Sequence, residues 1–248
     1  MSGHSKWHNI RLKKGKMDAE RGKAFTKLAR EIIVAAKAGG GNPDANVRLR
    51  MAIQKARENS MPAENIKRAI QRGTGELDGI NYDELIYEGY GPGGAAVMVD
   101  TLTDNRNRTV AELRNLFSKN GGSLGEQGCV AWIFDPKGII SVPKEKADEE
   151  TVMMAALEAG AEDVRVEEES FDVVTAPEDL PTVRQALEAA NIPFTLAETT
   201  MLPKNSVELQ GKEAQQMVRM MEGLEDHDDV QHVYANFDIP ESVMAALA

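Results

Sequence analysis

The first third of the chain repeats the apolar spacing of helices. From Phe25 to Ala36, apolar residues recur every three or four positions, which predicts a helix with one buried face. Three consecutive glycines at 39–41 end this pattern. The same spacing returns from Leu49 to Ala56 and again from Ile66 to Ile70. This part of the chain therefore predicts a small bundle of three helices.

Residues 6–23 differ from the helices that follow, because they are mostly polar and basic and show no sustained apolar period. A segment that cannot bury an apolar face gains little by folding alone. These residues are predicted to form an arm that is flexible or loosely helical until it binds a partner. At the other end of the bundle, the glycine-rich segment GTGELDG at 73–79 predicts a linker.

Beyond the linker, the pattern changes to that of strands. Residues 84–90 and 95–102 are predicted to be strands, and GPGG at 91–94 supplies the turn between them. A helix is predicted around Val110–Phe117. Residues 129–135 then alternate apolar side chains on two faces, which predicts another strand. The predicted order is therefore strand, strand, helix, strand.

Residues 138–200 carry a complete set of elements of their own. The pattern predicts strand, helix, strand, strand, helix and strand, at 138–142, 152–157, 163–166, 171–175, 180–190 and 194–198. This order is that of the split βαβ, ferredoxin-like arrangement. A further helix at 206–223 and a strand at 230–237 follow, and they would complete the sheet domain that begins at residue 80.

The predicted fold class is α+β and multidomain. An N-terminal helical bundle is followed by two ferredoxin-like α/β domains, the last inserted into the middle one. The basic arm and three-helix domain would span residues 1–75. The middle domain would be discontinuous, made of 80–135 and 203–240, and residues 138–200 would form the inserted domain.

The formal charge of −11 hides a strong segregation along the chain. Residues 1–75 hold 17 Lys or Arg against 6 Asp or Glu, whereas the remainder holds 12 against 34. Clustered cations attract phosphates, so this asymmetry predicts a polyanionic partner for the front third. The alternative is a solvated basic face on a helical domain that docks against an acidic neighbour. The acidic domains would contact an unknown protein partner or set orientation.

The candidate nucleic-acid-binding residues are the cations of the arm and the bundle, together with one tryptophan. They are Lys6, Trp7, Arg11, Lys13, Lys14, Lys16, Arg21, Lys23, Lys27, Arg30, Arg48, Arg50, Lys67 and Arg68. Lys55, Arg57 and Arg72 extend the same cationic surface. Lys27 and Arg30 share the helix face opposite the apolar stripe. The set predicts binding to a nucleic acid, but no spacing in it predicts which bases are read.

Aromatic residues make up only 5% of the chain, and three of them have two interpretations each. Trp7 can stack on a base or anchor the arm on the bundle. Trp132 and Phe134, on the strand predicted at 129–135, could imitate the base-stacking platform of RNA-recognition domains. Because few basic residues surround these two, packing in the core is the favoured interpretation.

A candidate anion site lies where the strand at 95–102 gives way to the next helix. Asn105, Arg106 and Arg108 sit at this junction, where the free N–H groups of a helix start can hold a phosphate or a carboxylate. The alternative is ordinary capping of the helix by Thr103 or Asp104, with both arginines in solvent.

No residue pattern predicts an active site, a metal site or a cofactor. The glycines at 89–94 join two strands, so they do not form a dinucleotide-binding loop. His4 and His8 have no further metal ligands placed nearby. His227 and His232 lie among acidic residues that are predicted to form a solvated turn rather than a cation site.

The single cysteine, Cys129, excludes an intramolecular disulfide and fits a reducing compartment. It has no evident basic activator, so it is predicted to be a buried thiol. The longest uninterrupted apolar runs, such as Val152–Leu157, are far shorter than the ~20 residues that a membrane-spanning helix needs. A cytoplasmic location without membrane contact is therefore expected.

Long strings of the sequence resemble the YebC/PmpR family. They are GHSKWHNI at 3–10, DAERGKAFTKLAREI at 18–32, NVRLRMAIQKARENSMPAENIKRAI at 46–70, RGTGE at 72–76, YEGYGPGGAAVMV at 87–99 and TLTDNRNRT at 101–109. The resemblance covers essentially the whole chain and weakens toward the C-terminus. Cys129 stands where relatives often have serine, and Trp132 where they often have another aromatic residue.

The resemblance implies a three-domain cytoplasmic protein without a known enzymatic activity. Members are generally labelled probable transcriptional regulators that bind DNA. Other members, and a mitochondrial relative that activates translation of a cytochrome oxidase subunit, resemble ribosome-associated factors that help elongation through difficult stretches such as proline runs. Two functions are therefore expected as alternatives: a non-enzymatic DNA-binding regulator, and a translation factor that binds ribosomal RNA.

Overall fold

The computed structural model describes residues 17–240, with side chains from residue 22 onward. Residues 6–16 of the predicted arm and the side chain of Arg21 therefore lie outside the described residues, and the name arm is kept for the part of the chain before residue 17. Residues 17–23, which are predicted to belong to the arm, form the start of the first helix. The described chain divides into two compact units, residues 17–131 with 207–240 and residues 132–206. Each unit contains a four-stranded antiparallel sheet, and the helical bundle belongs to the first unit.

The elements are numbered in chain order. The helices are α1 (Met17–Gly39), α2 (Val47–Glu58), α3 (Ala63–Thr74), α4 (Arg106–Lys119), α5 (Glu149–Glu158), α6 (Leu180–Ala189) and α7 (Gly211–Glu225). The strands are β1 (Asp83–Tyr90), β2 (Ala96–Thr103), β3 (Ser123–Leu124), β4 (Phe134–Pro143), β5 (Asp163–Val166), β6 (Ser170–Thr175), β7 (Leu196–Pro203), β8 (Val207–Glu208), β9 (Val230–Ala235) and β10 (Phe237–Asp238).

Helices α1, α2 and α3 form the bundle at the front of the first unit, with Ile32 and Leu49 fully buried in its core. Asn46 fixes the start of α2, because its Oδ1 accepts a hydrogen bond from the N–H of Leu49 at 3.0 Å and its Nδ2 donates to the carbonyl of Ala35 at 2.8 Å. Gly73 lets α3 approach α1, because a Cβ there would lie only 2.5 Å from the carbonyl oxygen of Ile33.

The first sheet has the strand order β3-β1-β2-β9. Helices α4 and α7 pack on one face of it, where Val97, Phe117 and Met217 are fully buried. The hairpin between β1 and β2 turns through Gly93 and Gly94, whose φ angles of 66° and 78° lie in the left-handed region that favours glycine. The glycines of this turn therefore serve a hairpin, as the sequence predicts.

The prediction of a strand at 129–135 is wrong for residues 129–133, and only Phe134 and Asp135 belong to a strand, β4. The third strand of the first sheet is the short β3, and residues 131–133 form a turn of 3₁₀ helix instead. Three backbone N–H groups between residues 128 and 131 donate to the buried carboxylate of Glu88, at 2.6 to 2.8 Å. Because these donors are used by one side chain, they cannot pair with a neighbouring strand.

The same local structure places the side chains of Trp132 and Phe134 in different environments. Phe134 begins β4 and is buried, whereas Trp132 is 65% exposed. The two side chains therefore do not share a strand face, and the base-stacking platform is not formed. The favoured interpretation, packing in the core, holds for Phe134 and is wrong for Trp132.

Helix α7 begins later than the helix predicted at 206–223. The backbone N–H of Val207 donates to the carbonyl of Asn236 at 2.8 Å, and this contact belongs to the parallel pairing of β8 with β10. The segment is thereby committed to a strand. The strand predicted at 230–237 is correspondingly split at Asn236 into β9 and β10.

The second unit, residues 132–206, has the sheet order β5-β6-β4-β7 with all neighbours antiparallel. Helices α5 and α6 bury Val152 and Leu187 against Ile140 and Val173 of the sheet. Counted along this unit, the strands lie in the order 2-3-1-4, which is the ferredoxin-like arrangement that the pattern predicts.

The predicted fold class, α+β with N-terminal helices followed by sheet domains, is confirmed. The first sheet does not have the strand arrangement of the second. Its two central strands, β1 and β2, are joined directly by a hairpin, whereas a helix and a strand separate the central strands β4 and β6 of the second sheet. The domain boundaries at 1–75, 80–135 with 203–240, and 138–200 stay a prediction. Within residues 17–240, no helix is long and apolar enough to cross a membrane.

We expect Phe117→Ala to destabilise the first unit by about 3 to 5 kcal/mol, because it leaves a cavity between α4 and the sheet. Phe117 is fully buried, whereas its neighbour Ser118 is exposed. Urea unfolding of the variant and of the control Ser118→Ala, followed by circular dichroism, measures the difference. A loss below about 1 kcal/mol in Phe117→Ala would show that this core is not packed as described.

Candidate nucleic-acid interface

A buried carboxylate lies where the bundle meets the first sheet. Asp229 ends the loop between α7 and β9, residues 226–229, and its side chain is 2% exposed. Its Oδ1 lies 2.7 Å from Nη1 of Arg30 on α1, and its Oδ2 lies 2.7 Å from Nη2 of Arg108 on α4. One carboxylate thus neutralises cations from two helices that are distant in sequence.

Two threonine hydroxyls complete the surroundings of Asp229. The Oγ1 atoms of Thr109 and Thr103 lie 2.7 and 3.3 Å from its Oδ2. Burial by itself raises the pKa of Asp229, but the hydrogen bonds from Arg108, Thr109 and Arg30 outweigh burial and lower the pKa to about 2. The carboxylate is therefore ionised over the whole physiological range of pH.

The same face of α1 holds the C-terminal end of α7. The Nζ atoms of Lys23 and Lys27 lie 3.3 and 2.5 Å from the carbonyl oxygens of Asp226 and Glu225. The last carbonyls of a helix lie beyond its ladder of internal hydrogen bonds, and the end of a helix carries partial negative charge. The lysines of α1 therefore stabilise the end of α7.

These contacts correct the prediction that Lys27 and Arg30 face a nucleic acid. The two residues do share a face of α1, but that face packs on residues 225–229. The Arg30 guanidinium also donates to the carbonyl of Leu102 at 3.2 Å and lies over the ring of Tyr82, and its side chain is 13% exposed. In this conformation Arg30 is not open to a phosphate.

Arg48 is neutralised by carboxylates as well. Its guanidinium contacts Glu31 at 2.9 Å and binds both carboxylate oxygens of Glu84 at 2.9 Å. The negative charges of the same two carboxylates also affect the pKa of Asp100. Burial, with repulsion from Glu31 and Glu84, raises the pKa of Asp100 to about 6, although a hydrogen bond from Tyr234 opposes the shift. The positive charge of Arg48 is thus compensated by Glu31 and Glu84 within the protein.

The cations of α2 and α3 present a different picture. Arg50 donates only to neutral carbonyl groups, those of Pro43 and Asp44, and Arg68 makes an exposed pair with Glu64 at 3.6 Å. Four further cations of these helices are exposed, and no other described residue contacts their charged groups. They are Lys55, Arg57, Lys67 and Arg72.

The candidate anion site at the start of α4 is satisfied by the protein itself. Asn105 is the cap, since its Oδ1 accepts a hydrogen bond from the N–H of Arg108 at 3.1 Å. Arg106 pairs with Asp83 at 2.8 Å, and Arg108 pairs with Asp104 at 2.8 Å in addition to Asp229. The structure therefore shows the alternative interpretation, ordinary capping of the helix, and the cap is Asn105 rather than Thr103 or Asp104.

The acidic turn around His227 is not simply solvated. The Nε2 of His227 lies 2.8 Å from Glu112, its Nδ1 accepts a hydrogen bond from the N–H of Asp229 at 3.1 Å, and Asp229 is buried. Ligand atoms of Glu112, His227 and Asp229 lie within 4.8 Å of one another. A metal ion there would have to share Asp229 with two guanidinium groups, which disfavours its binding.

Comparison with protein-family models gives two adjoining matches. Residues 5–76 match the model of the TACO1/YebC protein N-terminal domain, and residues 82–237 match that of the TACO1/YebC second and third domain. The chain belongs to the TACO1/YebC family. The family resemblance inferred from the sequence strings is thereby confirmed.

Members of the family with similar sequences carry a regulatory name. A protein of Pelotomaculum thermopropionicum, named probable transcriptional regulatory protein, is 60% identical over 97% of this chain and 100% of its own. A protein of the same name from Natranaerobius thermophilus is 58% identical over 98% of this chain and 99% of its own. The crystal structure of a conserved hypothetical protein, Aq1575 from Aquifex aeolicus, is 50% identical and covers 91% of this chain and 93% of its own, with a TM-score of 0.80.

Asp229 is central to the contact between the bundle and the first sheet, but the sequence does not predict this role. It stands in the run Glu225–Asp229, where four of five residues are acidic, and nothing in that run distinguishes the one buried carboxylate from the exposed ones. The polar cluster Thr103–Thr109 was visible as a motif. Its partner lies 120 residues further along the chain, so only the fold brings the two together.

We expect Asp229→Asn to lower the free energy of unfolding near neutral pH by about 3 kcal/mol, because it leaves Arg30 and Arg108 without their buried counter-charge. Asp228→Asn is the matched control, since Asp228 is exposed and only its backbone carbonyl contacts Arg30. Urea unfolding of both variants measures the change. Equal stability of the two variants would contradict the structural role of Asp229.

The pKa of Asp229 sets the pH dependence of this difference. Its folded-state pKa of about 2 lies below the ordinary value of about 3.9, so the ionised carboxylate stabilises the fold above about pH 4. This contribution is lost as the pH falls through the folded-state pKa. The difference between the parent protein and Asp229→Asn should therefore shrink as the pH falls from about 4 toward about 2. A difference that stays constant over that range would contradict the pKa shift.

Proposed function

We propose that this protein is a non-enzymatic regulator of gene expression that binds DNA through the arm and the exposed faces of α2 and α3. The observation that supports this most is a contrast among the described residues. The charged groups of Lys55, Arg57, Lys67 and Arg72 contact no other described residue, whereas Lys23, Lys27 and Arg30 of α1 contact the protein itself. The name of the relatives, probable transcriptional regulatory protein, supports a role in regulation.

The charge of α2 and α3 suits the phosphate backbone of a nucleic acid. Residues 47–74 hold seven Lys or Arg against two Glu. Of the seven, Arg48 alone is held by two carboxylates among the described residues, and the exposed pair of Arg68 with Glu64 is weak. When the remaining cations contact phosphates, they release the counterions condensed on the nucleic acid, and this release drives binding.

The arm supplies further cations before α1. Residues 1–16 contain five Lys or Arg and no Asp or Glu. We propose that this segment contacts the phosphate backbone and that Trp7 stacks on a base. Sequence specificity would then come from the shape of the nucleic acid or from a partner, because phosphate contacts carry no sequence information by themselves.

The second candidate function is a ribosome-associated translation factor that binds ribosomal RNA with the same cations. The strong negative charge of residues 76–248, with 34 Asp or Glu against 12 Lys or Arg, favours this alternative in one respect. A long duplex would be repelled along most of the protein, whereas a local RNA surface flanked by basic proteins would not. The two candidates share the interface and differ in the target.

We expect the double variant Lys67→Ala with Arg72→Ala to bind duplex DNA more weakly and with a shallower salt dependence. Each phosphate contact that is lost should reduce the slope of log K against log salt concentration by about 0.9 on a duplex. Fluorescence anisotropy with a labelled duplex at several salt concentrations measures both quantities. Deletion of residues 1–16 should reduce the slope further, because the arm carries five cations.

Lys119→Ala with Lys212→Ala is the matched control for this experiment. Both lysines are exposed and lie outside the bundle, and the double variant removes the same total charge. Its affinity and slope should stay close to those of the parent protein. Equal weakening by the two double variants would show that only the overall charge matters, and an unchanged slope in Lys67→Ala with Arg72→Ala would exclude this face of α3 from the contact.

Sedimentation of a cell extract through a sucrose gradient at low salt separates the two targets. As a DNA-binding regulator, the full-length protein should sediment away from the ribosomal subunits, and nuclease digestion of DNA should shift it to lighter fractions. As a translation factor, it should comigrate with ribosomes and be released by the Lys67→Ala and Arg72→Ala substitutions. Comigration with ribosomes would overturn the DNA target while leaving the cationic interface in place.

A further inference from the structure

Helix α5 carries an apolar surface that nothing in the described chain covers. Its inner face buries Val152 and Ala156 on the ferredoxin-like sheet. On its outer face, Met153, Met154 and Leu157 are 37%, 59% and 44% exposed. The outer face of a surface helix is ordinarily polar, so these three side chains form an unpartnered apolar stripe.

Helix α6, which packs on the same sheet, shows that the fold does not require such a surface. The outer face of α6 carries Arg184 and Glu188, which pair with each other at 3.0 Å, and the exposed Gln185 between them. The outer face of α6 is therefore polar and suited to solvent, whereas the outer face of α5 exposes three large apolar side chains to water. An apolar patch rimmed by polar residues is typical of an interaction site.

Three carboxylates rim the apolar stripe. Glu149, Glu150 and Glu158 line a shallow groove of about 650 Å³ together with Met153, Met154 and Leu157, and we call this set of six residues the α5 groove. No cation of the described chain contacts these glutamates. Glu149 and Glu150 suit the N-terminal end of the helix, but Glu158 lies at the C-terminal end, where the helix dipole disfavours negative charge. A partner's cation would relieve that repulsion.

We propose that the α5 groove binds a cationic amphipathic helix of a partner protein. Flexible methionine side chains adapt to apolar anchors that such a helix presents along one face, and the rim carboxylates attract its Lys and Arg residues. Residues 132–206 hold 16 Asp or Glu against 6 Lys or Arg. This charge disfavours both a nucleic acid and the same face of a second copy. The binding site does not depend on the proposed nucleic-acid interface.

The test uses the full-length protein and a fluorescein-labelled peptide of about 18 residues, composed of Leu and Lys with the leucines on one helical face. Saturable binding is expected by fluorescence anisotropy. The double variant Met154→Ser with Leu157→Ser should weaken it about tenfold or more, since both anchors are removed. These side chains are exposed, so the variant is expected to keep the melting temperature of the parent protein.

Charge reversal tests the acidic rim separately. Glu150→Lys with Glu158→Lys should also weaken binding about tenfold or more. The matched control is Glu168→Lys with Glu178→Lys, because both residues are exposed, lie in the same unit outside the groove and change the net charge equally. This control should bind the peptide within about twofold of the parent protein. A scrambled peptide of the same composition, with its leucines distributed around the helix, should bind about tenfold more weakly.

Four results would overturn the proposal. Equal binding of the scrambled peptide would reduce the effect to unspecific charge attraction, and full binding by Met154→Ser with Leu157→Ser would place the peptide elsewhere. Binding that appears only after deletion of residues 1–16 would assign the groove to the chain's own arm. Self-association of the parent protein that Met154→Ser abolishes, measured by analytical ultracentrifugation, would assign it to a second copy.

Discussion

The packing of the helical bundle on the first sheet depends on the buried carboxylate of Asp229. Taking an ion out of water is costly, and the cost is met only when each oxygen has a charged or hydrogen-bonding partner. Arg30, Arg108 and Thr109 provide these partners from α1 and α4. The loop after α7 is held from the other side, because Lys23 and Lys27 bind the carbonyls at the end of that helix. A single loop of acidic residues thus joins three helices.

This arrangement divides the cations of the front third into two groups. The charged groups of Lys23, Lys27 and Arg30 on α1 contact residues 225–229, Arg48 pairs with two carboxylates, and these contacts stabilise the first unit. The cations of α2 and α3 keep most of their charge toward solvent, and the arm adds five more in sequence. A simple count of Lys and Arg therefore overstates the charge that is available for a nucleic acid, and the second group is the one on which the proposed interface depends.

The sequence predicts the elements well wherever an apolar period decides them. The stripe from Phe25 to Ala36 forms α1, and the order of strands and helices in residues 138–200 gives the observed ferredoxin-like sheet. Prediction fails where a distant polar group decides the local structure. The alternating apolar residues at 129–135 suit a strand, but the carboxylate of Glu88 takes the backbone donors that a strand would need. Asp229 is hidden from the sequence for the same reason, since its partners lie on other elements.

Crosslinking in cells, followed by mass spectrometry of the peptides that carry nucleotides and sequencing of the attached DNA or RNA, tests the division of the cations most directly. The account predicts nucleotide adducts on peptides from the arm and from residues 47–74, and none at Lys23, Lys27 or Arg30. Adducts concentrated at those three residues of α1, with none on α2 and α3, would contradict it.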